Sequence, residues 1–171
     1  MTVAVRGEPM RVRPYQIAVW ASVSVAGQLA WDRRTPVLPA LLDTGTNHNF
    51  SIYHSQLIRW AGMRPELLRV LGHARVGGKR VSLNAATVWI HPNVPGKQEV
   101  SNREPYPLIL EGGIALLPDE GTPFPHLPLL GLRALTDNHL RLAIDGRHRE
   151  VSLHTPSWLS DMLRMLGVPC Y

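Results

Sequence analysis

Residues 36–52, PVLPALLDTGTNHNFSI, hold an apolar run that ends abruptly in Asp43-Thr44-Gly45-Thr46 and then turns polar through Asn47, His48 and Asn49. Asp and Gly are ordinary turn residues, because an Asp side chain can bond its own backbone and Gly tolerates positive φ. A buried strand that stops at an ionisable carboxylate also has the makings of a site. The strand supplies desolvation, and Gly45, with no Cβ, lets another chain come close. The sequence on either side decides between a plain turn and a site.

Upstream, RVRPYQIAVWASVSVAG (11–27) places basic residues before an apolar stretch, as a signal peptide does. However, Ile17, Val19, Ala21, Val23 and Val25 alternate with Ala18, Trp20, Ser22 and Ser24. Period-two alternation with β-branched residues reads as a strand over 14–25. Residues 1–13 read as a loose or edge segment. A second strand runs over 37–42 and enters Asp43.

Downstream, FSIYHSQLIRWAGM (50–63) predicts a short strand and then a short helix ending at Gly62, while PELLRVLG (65–72) is open between a helical turn and a strand. In HARVGGKRVSLNAATVWIHP (73–92), Gly77-Gly78 sits between two strand-like arms, a strong hairpin signal. A polar, Pro-rich loop follows, then a strand at 108–110, a turn at Gly112-Gly113 and another Pro-rich loop. The apolar run 127–130 stops at Gly131, and LRALTDN (132–138) predicts one or two helical turns. LRLAIDGRHREVSL (140–153) reads as a hairpin around Asp145-Gly146. In TPSWLSDMLRMLG (155–167), Thr155 and Pro156 open a C-terminal helix over about 156–166 with Leu159, Met162, Leu163 and Leu166 on one face.

With 171 residues, 44% of them hydrophobic and 18% charged, the chain suits one globular domain covering residues 1–171. The net charge is +5 and the pI about 10, yet the arginines are scattered, so no nucleic-acid partner is expected. The single cysteine, Cys170, allows no intramolecular disulfide, which points to a reducing, cytoplasmic compartment. No apolar run approaches the roughly 20 residues of a membrane span. His139, His148 and His154 lack metal-ligand spacing, so neither a metal nor another cofactor is expected. A serine nucleophile would want a G-x-S-x-G elbow, and there is none.

Leu41-Leu42-Asp43-Thr44-Gly45-Thr46, the Gly77-Gly78 hairpin and Leu129-Leu130-Gly131 occur in an order that resembles the retropepsin-like aspartic proteases, the family of the retroviral proteases and related bacterial domains. The resemblance covers about residues 14–154. It implies a mainly β, closed barrel-like retropepsin fold and an aspartic endopeptidase acting on peptide or protein substrates. It also implies catalysis by Asp43 with Thr44 and Gly45 in support, where Thr44 braces both loops across a dyad. The hairpin carrying Gly77 and Gly78 would be the flap, Thr46, Asn47 and His48 would line the substrate backbone, and Leu127 and Leu129 would contact side chains beside the scissile bond. One Asp-Thr-Gly per chain supplies one carboxylate, so a dyad requires a homodimer with an Asp43 from each copy.

The chain departs from the retroviral pattern in two places. Those members carry a carboxylate and an arginine, paired with each other, at the positions of Asn47 and Leu132, and both are uncharged here. Retroviral dimers interleave their termini in a small sheet, whereas this sequence ends in a predicted helix. Both departures favour an alternative in which the same fold serves as a catalytically inactive binding or assembly domain. A third reading, a basic nucleic-acid binder, would require salt-dependent binding.

Overall fold

The computed structural model describes residues 2–5, 8–94, 97, 99–119, 127–147 and 150–154. The chain reads as one domain in sequence, but its contacts divide it into two compact units, Met1–Ala134 and Leu135–Tyr171. The first begins with β1 (Thr2–Val5) and β2 (Glu8–Arg11), an antiparallel pair where the sequence suggests a loose segment. It continues through β3 (Ile17–Val25), β4 (Leu38–Asp43) and β5 (Phe50–Tyr53), then α1 (His54–Arg59) and a 3₁₀ turn at Pro65–Leu67. Next come β6 (Val70–Val76), β7 (Lys79–Asn84), β8 (Ala86–His91), β9 (Tyr106–Leu108), β10 (Ile114–Leu117) and β11 (Leu129–Gly131). The helix α2 (Leu132–Asp137) follows β11 directly. In the second unit, β12 (Arg141–Asp145) and β13 (Glu150–His154) form the expected hairpin around Asp145-Gly146. The predicted C-terminal helix lies outside the described residues.

Nine strands form one sheet in the order β6-β7-β10-β5-β11-β4-β3-β8-β9. The protein is therefore mainly β, as its alternating patterns require. The expected closed barrel is not found among the described residues: β6 and β9 are the two ends of an open sheet. Strand assignments also differ from the sequence reading, beginning with the strand expected over 108–110, which lies instead at Tyr106–Leu108. The arm after Gly78 breaks at Ala85, so that β7 completes the hairpin while β8 crosses over to pair with β3. Ile114–Leu117, which lies where the sequence suggests only turn and loop, pairs in parallel with β5. Gly113 allows this entry, because its φ is +65° and a Cβ there would strike the backbone of Asn84.

The core follows the central strands. Phe50, Ile52, Leu38, Ile114 and Leu130 are fully buried, each contributing about 1.5–3 kcal/mol relative to exposure. In β3 the alternation does not separate a wet face from a dry one, since Ser22 and Ser24 are buried alongside Ala21 and Val23. Strand β8 satisfies both hydroxyls: the Trp89 indole N–H donates to Ser24 Oγ at 2.9 Å, and His91 Nε2 lies 2.9 Å from Ser22 Oγ. Trp31 meets the His91 ring edge-on at a centroid distance of 5.0 Å. The indole nitrogen of Trp31 and Nδ1 of His91 are both buried without a hydrogen-bond partner. No described helix is long and apolar enough to cross a membrane.

Burial holds His91 neutral and pulls its pKa from 6.5 down to about 4. Between those values the unfolded chain binds a proton that the folded chain refuses, so the stabilisation is complete above pH 6.5 and disappears as pH falls towards 4. The expected loss is about 3 kcal/mol across that window. Urea titrations at stepped pH should show it in the wild-type protein, and His91→Gln should remove that part of the pH dependence. An unchanged pH profile in the variant would refute the assignment.

Candidate active site

Strands β4 and β5 are consecutive in sequence but not adjacent in the sheet, because β11 lies between them. It runs parallel to β4 in the register Leu129↔Leu41, Leu130↔Leu42 and Gly131↔Asp43, and antiparallel to β5 with Leu129↔Ser51 and Leu130↔Phe50. The loop from Asp43 to Asn49 must therefore step across two strand spacings, about 9.5 Å, over the end of an intervening strand. Backbone bonds pin the insertion on both sides: Leu41 N–H donates to the Pro128 carbonyl at 2.7 Å, and Gly131 N–H to the Asn49 carbonyl at 3.0 Å.

This crossing accounts for Gly131. A Cβ at that position would collide with the carbonyl oxygen of His48 and lie 2.9 Å from Thr46 Cγ2. The loop is further shaped by a long contact from the His48 N–H to Thr46 Oγ1, at 3.4 Å. Asn49, which sequence reading did not single out, is 4% exposed, and its side-chain oxygen has no partner. Its signal in the sequence was a polar residue directly ahead of the apolar Phe50-Ser51-Ile52, but that signal does not distinguish a buried amide from a solvated one.

Asp43 is half-buried at the end of β4, and its Oδ1 accepts the Gly45 N–H at 2.9 Å. Among the described residues this is the carboxylate's one hydrogen bond, which leaves Oδ2 for water or a second carboxylate. The contact itself is a common turn device. Asp32 accepts the Arg34 N–H and Asp145 the Arg147 N–H in the same way, each at 2.9 Å. What sets Asp43 apart is position, at the end of a core strand and in register with Gly131. Thr44, Gly45 and Asn47 are exposed, so the loop tip is presented at the surface, and the Thr44 hydroxyl has no bond within the described residues.

The structure brings Asp43, Thr46 and His48 together around Gly131 at the end of β11, while Leu129 opens that strand in register with Leu41 and Ser51. Leu129 is half-buried there, whereas Leu127 is packed into the core at 4% exposure and is not presented for contact in the single chain. Gly77 and Gly78 lie apart from this group. They form the tip of the β6–β7 hairpin with φ of +55° and +81°, and nothing stands within 4 Å of where their Cβ atoms would be. Strands β10, β5 and β11 separate that hairpin from β4 in the sheet. From Val70 to Arg80 every residue is exposed or half-exposed, so the hairpin contributes little to the core. No group of three or more His, Cys, Asp or Glu among the described residues is placed to hold a metal. No family model, curated protein or solved structure matches the chain.

Gly131→Ala should destabilise the fold by on the order of 3 kcal/mol or more, because the clash is with the His48 backbone carbonyl and not with the tip of a flexible side chain. Gly72→Ala, where a Cβ would meet open space, is the matched control and should change stability by less than about 1 kcal/mol. Urea denaturation of both variants measures the difference, and equal midpoints would show that β11 does not pass tightly beneath the loop.

Proposed function

We propose that the protein is an aspartic endopeptidase of retropepsin type that works as a homodimer, with one Asp43 contributed by each copy. The observation that carries this reading is the register of Leu129-Leu130-Gly131 beside Leu41-Leu42-Asp43. The two segments singled out in the sequence, far apart along the chain, lie side by side and end together at the carboxylate.

Two such carboxylates brought face to face share one proton, because both cannot readily ionise at close range. The ionised member takes a proton from a water held between them, and the water oxygen bonds to the carbon of the peptide carbonyl. The protonated member donates to the carbonyl oxygen, giving a tetrahedral diol. Proton transfer to the amide nitrogen then breaks the C–N bond and releases a carboxylic acid and an amine. No covalent bond to the enzyme forms. Within each chain, the Gly45 N–H holds Oδ1 and leaves Oδ2 for the partner carboxylate and the water. The β6–β7 hairpin, projecting with little core of its own, suits a flap that closes over an extended peptide and excludes water.

A second reading, a binding or assembly domain without turnover, is favoured by the likeness of the Asp43–Gly45 contact to the turns at Asp32 and Asp145. One pair of measurements separates the two readings. Asp43→Asn keeps the acceptor for the Gly45 N–H, and the burial of the neighbouring strands outweighs one hydrogen bond of about 1 kcal/mol, so the variant should fold normally. Cleavage of unfolded casein should fall by on the order of 10³-fold, with sedimentation showing a dimer at micromolar concentration. Cleavage that survives in Asp43→Asn, or a strict monomer that never cleaves, would end the protease reading.

A further inference from the structure

The sheet carries a second feature that the Asp43 loop does not use. A depression of about 480 Å³ opens over strands β6, β7 and β10 and the start of α1, with His54, His73, Arg80 and Ser82 on its polar side and Leu116 and Pro118 among its apolar walls. It lies across the sheet from Asp43. The registers His73↔Ser82, Ser82↔Leu116 and Leu116↔Ile52 place these residues on one face. That face continues through Phe50↔Leu130 to Leu42, and successive residues of a strand point to opposite faces, so Asp43 is on the other.

The charge in this depression is one-sided. Three groups able to carry positive charge converge from three different elements, and no carboxylate lines the space. Asp119, the residue after Pro118, is already engaged: its carboxylate accepts the Ser55 hydroxyl at 2.6 Å and the Ser55 backbone N–H at 3.1 and 3.2 Å. Among the described residues the side chains of His54, His73 and Arg80 make no hydrogen bond or ion pair. Arg80 also stands directly opposite Arg75 on the paired strand, and like charges in that position oppose strand pairing. Residues 69–84 contain Arg69, Arg75, Lys79 and Arg80 and no acidic residue. A bound anion would offset this repulsion and tie the projecting hairpin to β10 and α1.

We propose that this depression is a binding site for a phosphate-bearing small molecule with an apolar body. A phosphomonoester carries close to two negative charges and enough acceptor oxygens to engage the Arg80 guanidinium, an imidazole and the Ser82 hydroxyl at once, where a single carboxylate would leave part of the set unused. Pro118, half-buried above the packed Leu116, provides apolar surface for the rest of the ligand. An open depression of this small extent suits a small molecule better than a nucleic-acid strand, which would need a continuous basic track. The assignment is independent of the protease reading.

The test uses the full chain and three probes: phenyl phosphate, inorganic phosphate and phenol. Calorimetry should show binding in the order phenyl phosphate, then phosphate, with phenol not bound. Phenyl phosphate should shift the NMR imidazole signals of His54 and His73. Arg80→Gln and His73→Gln, both at exposed positions that leave the far-UV circular dichroism unchanged, should each weaken phenyl phosphate by at least about tenfold. Arg141→Gln, an exposed arginine on β12, should bind as the wild type does. The proposal is overturned by no binding of phenyl phosphate up to on the order of 10 mM, by binding that ignores Arg80 and His73, or by affinity for oligothymidylate that rises with its length and exceeds that of phenyl phosphate.

Discussion

The passage of β11 between β4 and β5 is the constraint on which the rest of this protein depends. It separates two consecutive strands by a full strand width, obliges residues 44–49 to bridge the gap, and places Gly131 beneath the His48 carbonyl. The bridging loop cannot relax into a tight hairpin turn, because its ends are held two strand spacings apart. Asp43 therefore stands at the rim of a packed sheet rather than within a freely moving turn. The energetic weight lies in the strands: Phe50, Ile52 and Leu130 are fully buried around the crossing, and together they outweigh the single carboxylate contact that shapes the loop locally.

The two ends of the sheet differ in kind. Around β3 and β8 it is buried on both faces, with Trp89 bonded to Ser24 and His91 Nε2 beside Ser22 inside. Around β6 and β7 it is a basic hairpin whose buried side chains, among the described residues, are Val81 and Asn84 of β7. Of the arm's basic groups, His73 and Arg80 make no hydrogen bond or ion pair among the described residues, and they meet His54 in the depression at its root.

The local punctuation of this chain was legible because it rests on residue chemistry that acts over a few positions. Gly77-Gly78 and Asp145-Gly146 read as hairpin tips, and the structure forms both hairpins. The strand entering Asp43 and the short helices after Tyr53 and Gly131 also follow from adjacent residues. The failures were of another sort. Ile114–Leu117 looked like loop beside a Gly-Gly turn, and only its parallel pairing with β5 makes it a strand. Residues 79–92 looked like one arm, and the break at Ala85 arises because β8 is claimed by β3. Likewise Asn49 and His91 give no local sign of burial, since a polar side chain is buried or solvated according to what packs against it.

Alternation, turn chemistry and the abrupt end of an apolar run at Asp43-Thr44-Gly45 were enough to determine a mainly β protein with an acidic loop worth attention, because these signals depend on neighbours within a few residues. Tertiary structure alone decided that Leu129-Gly131 would thread beside that loop, that the sheet would stay open between β6 and β9, and that His54, His73 and Arg80 would share one depression. Those outcomes depend on pairings between segments tens of residues apart, where the choice of partner is set by which buried surfaces fit together and not by any short stretch read alone.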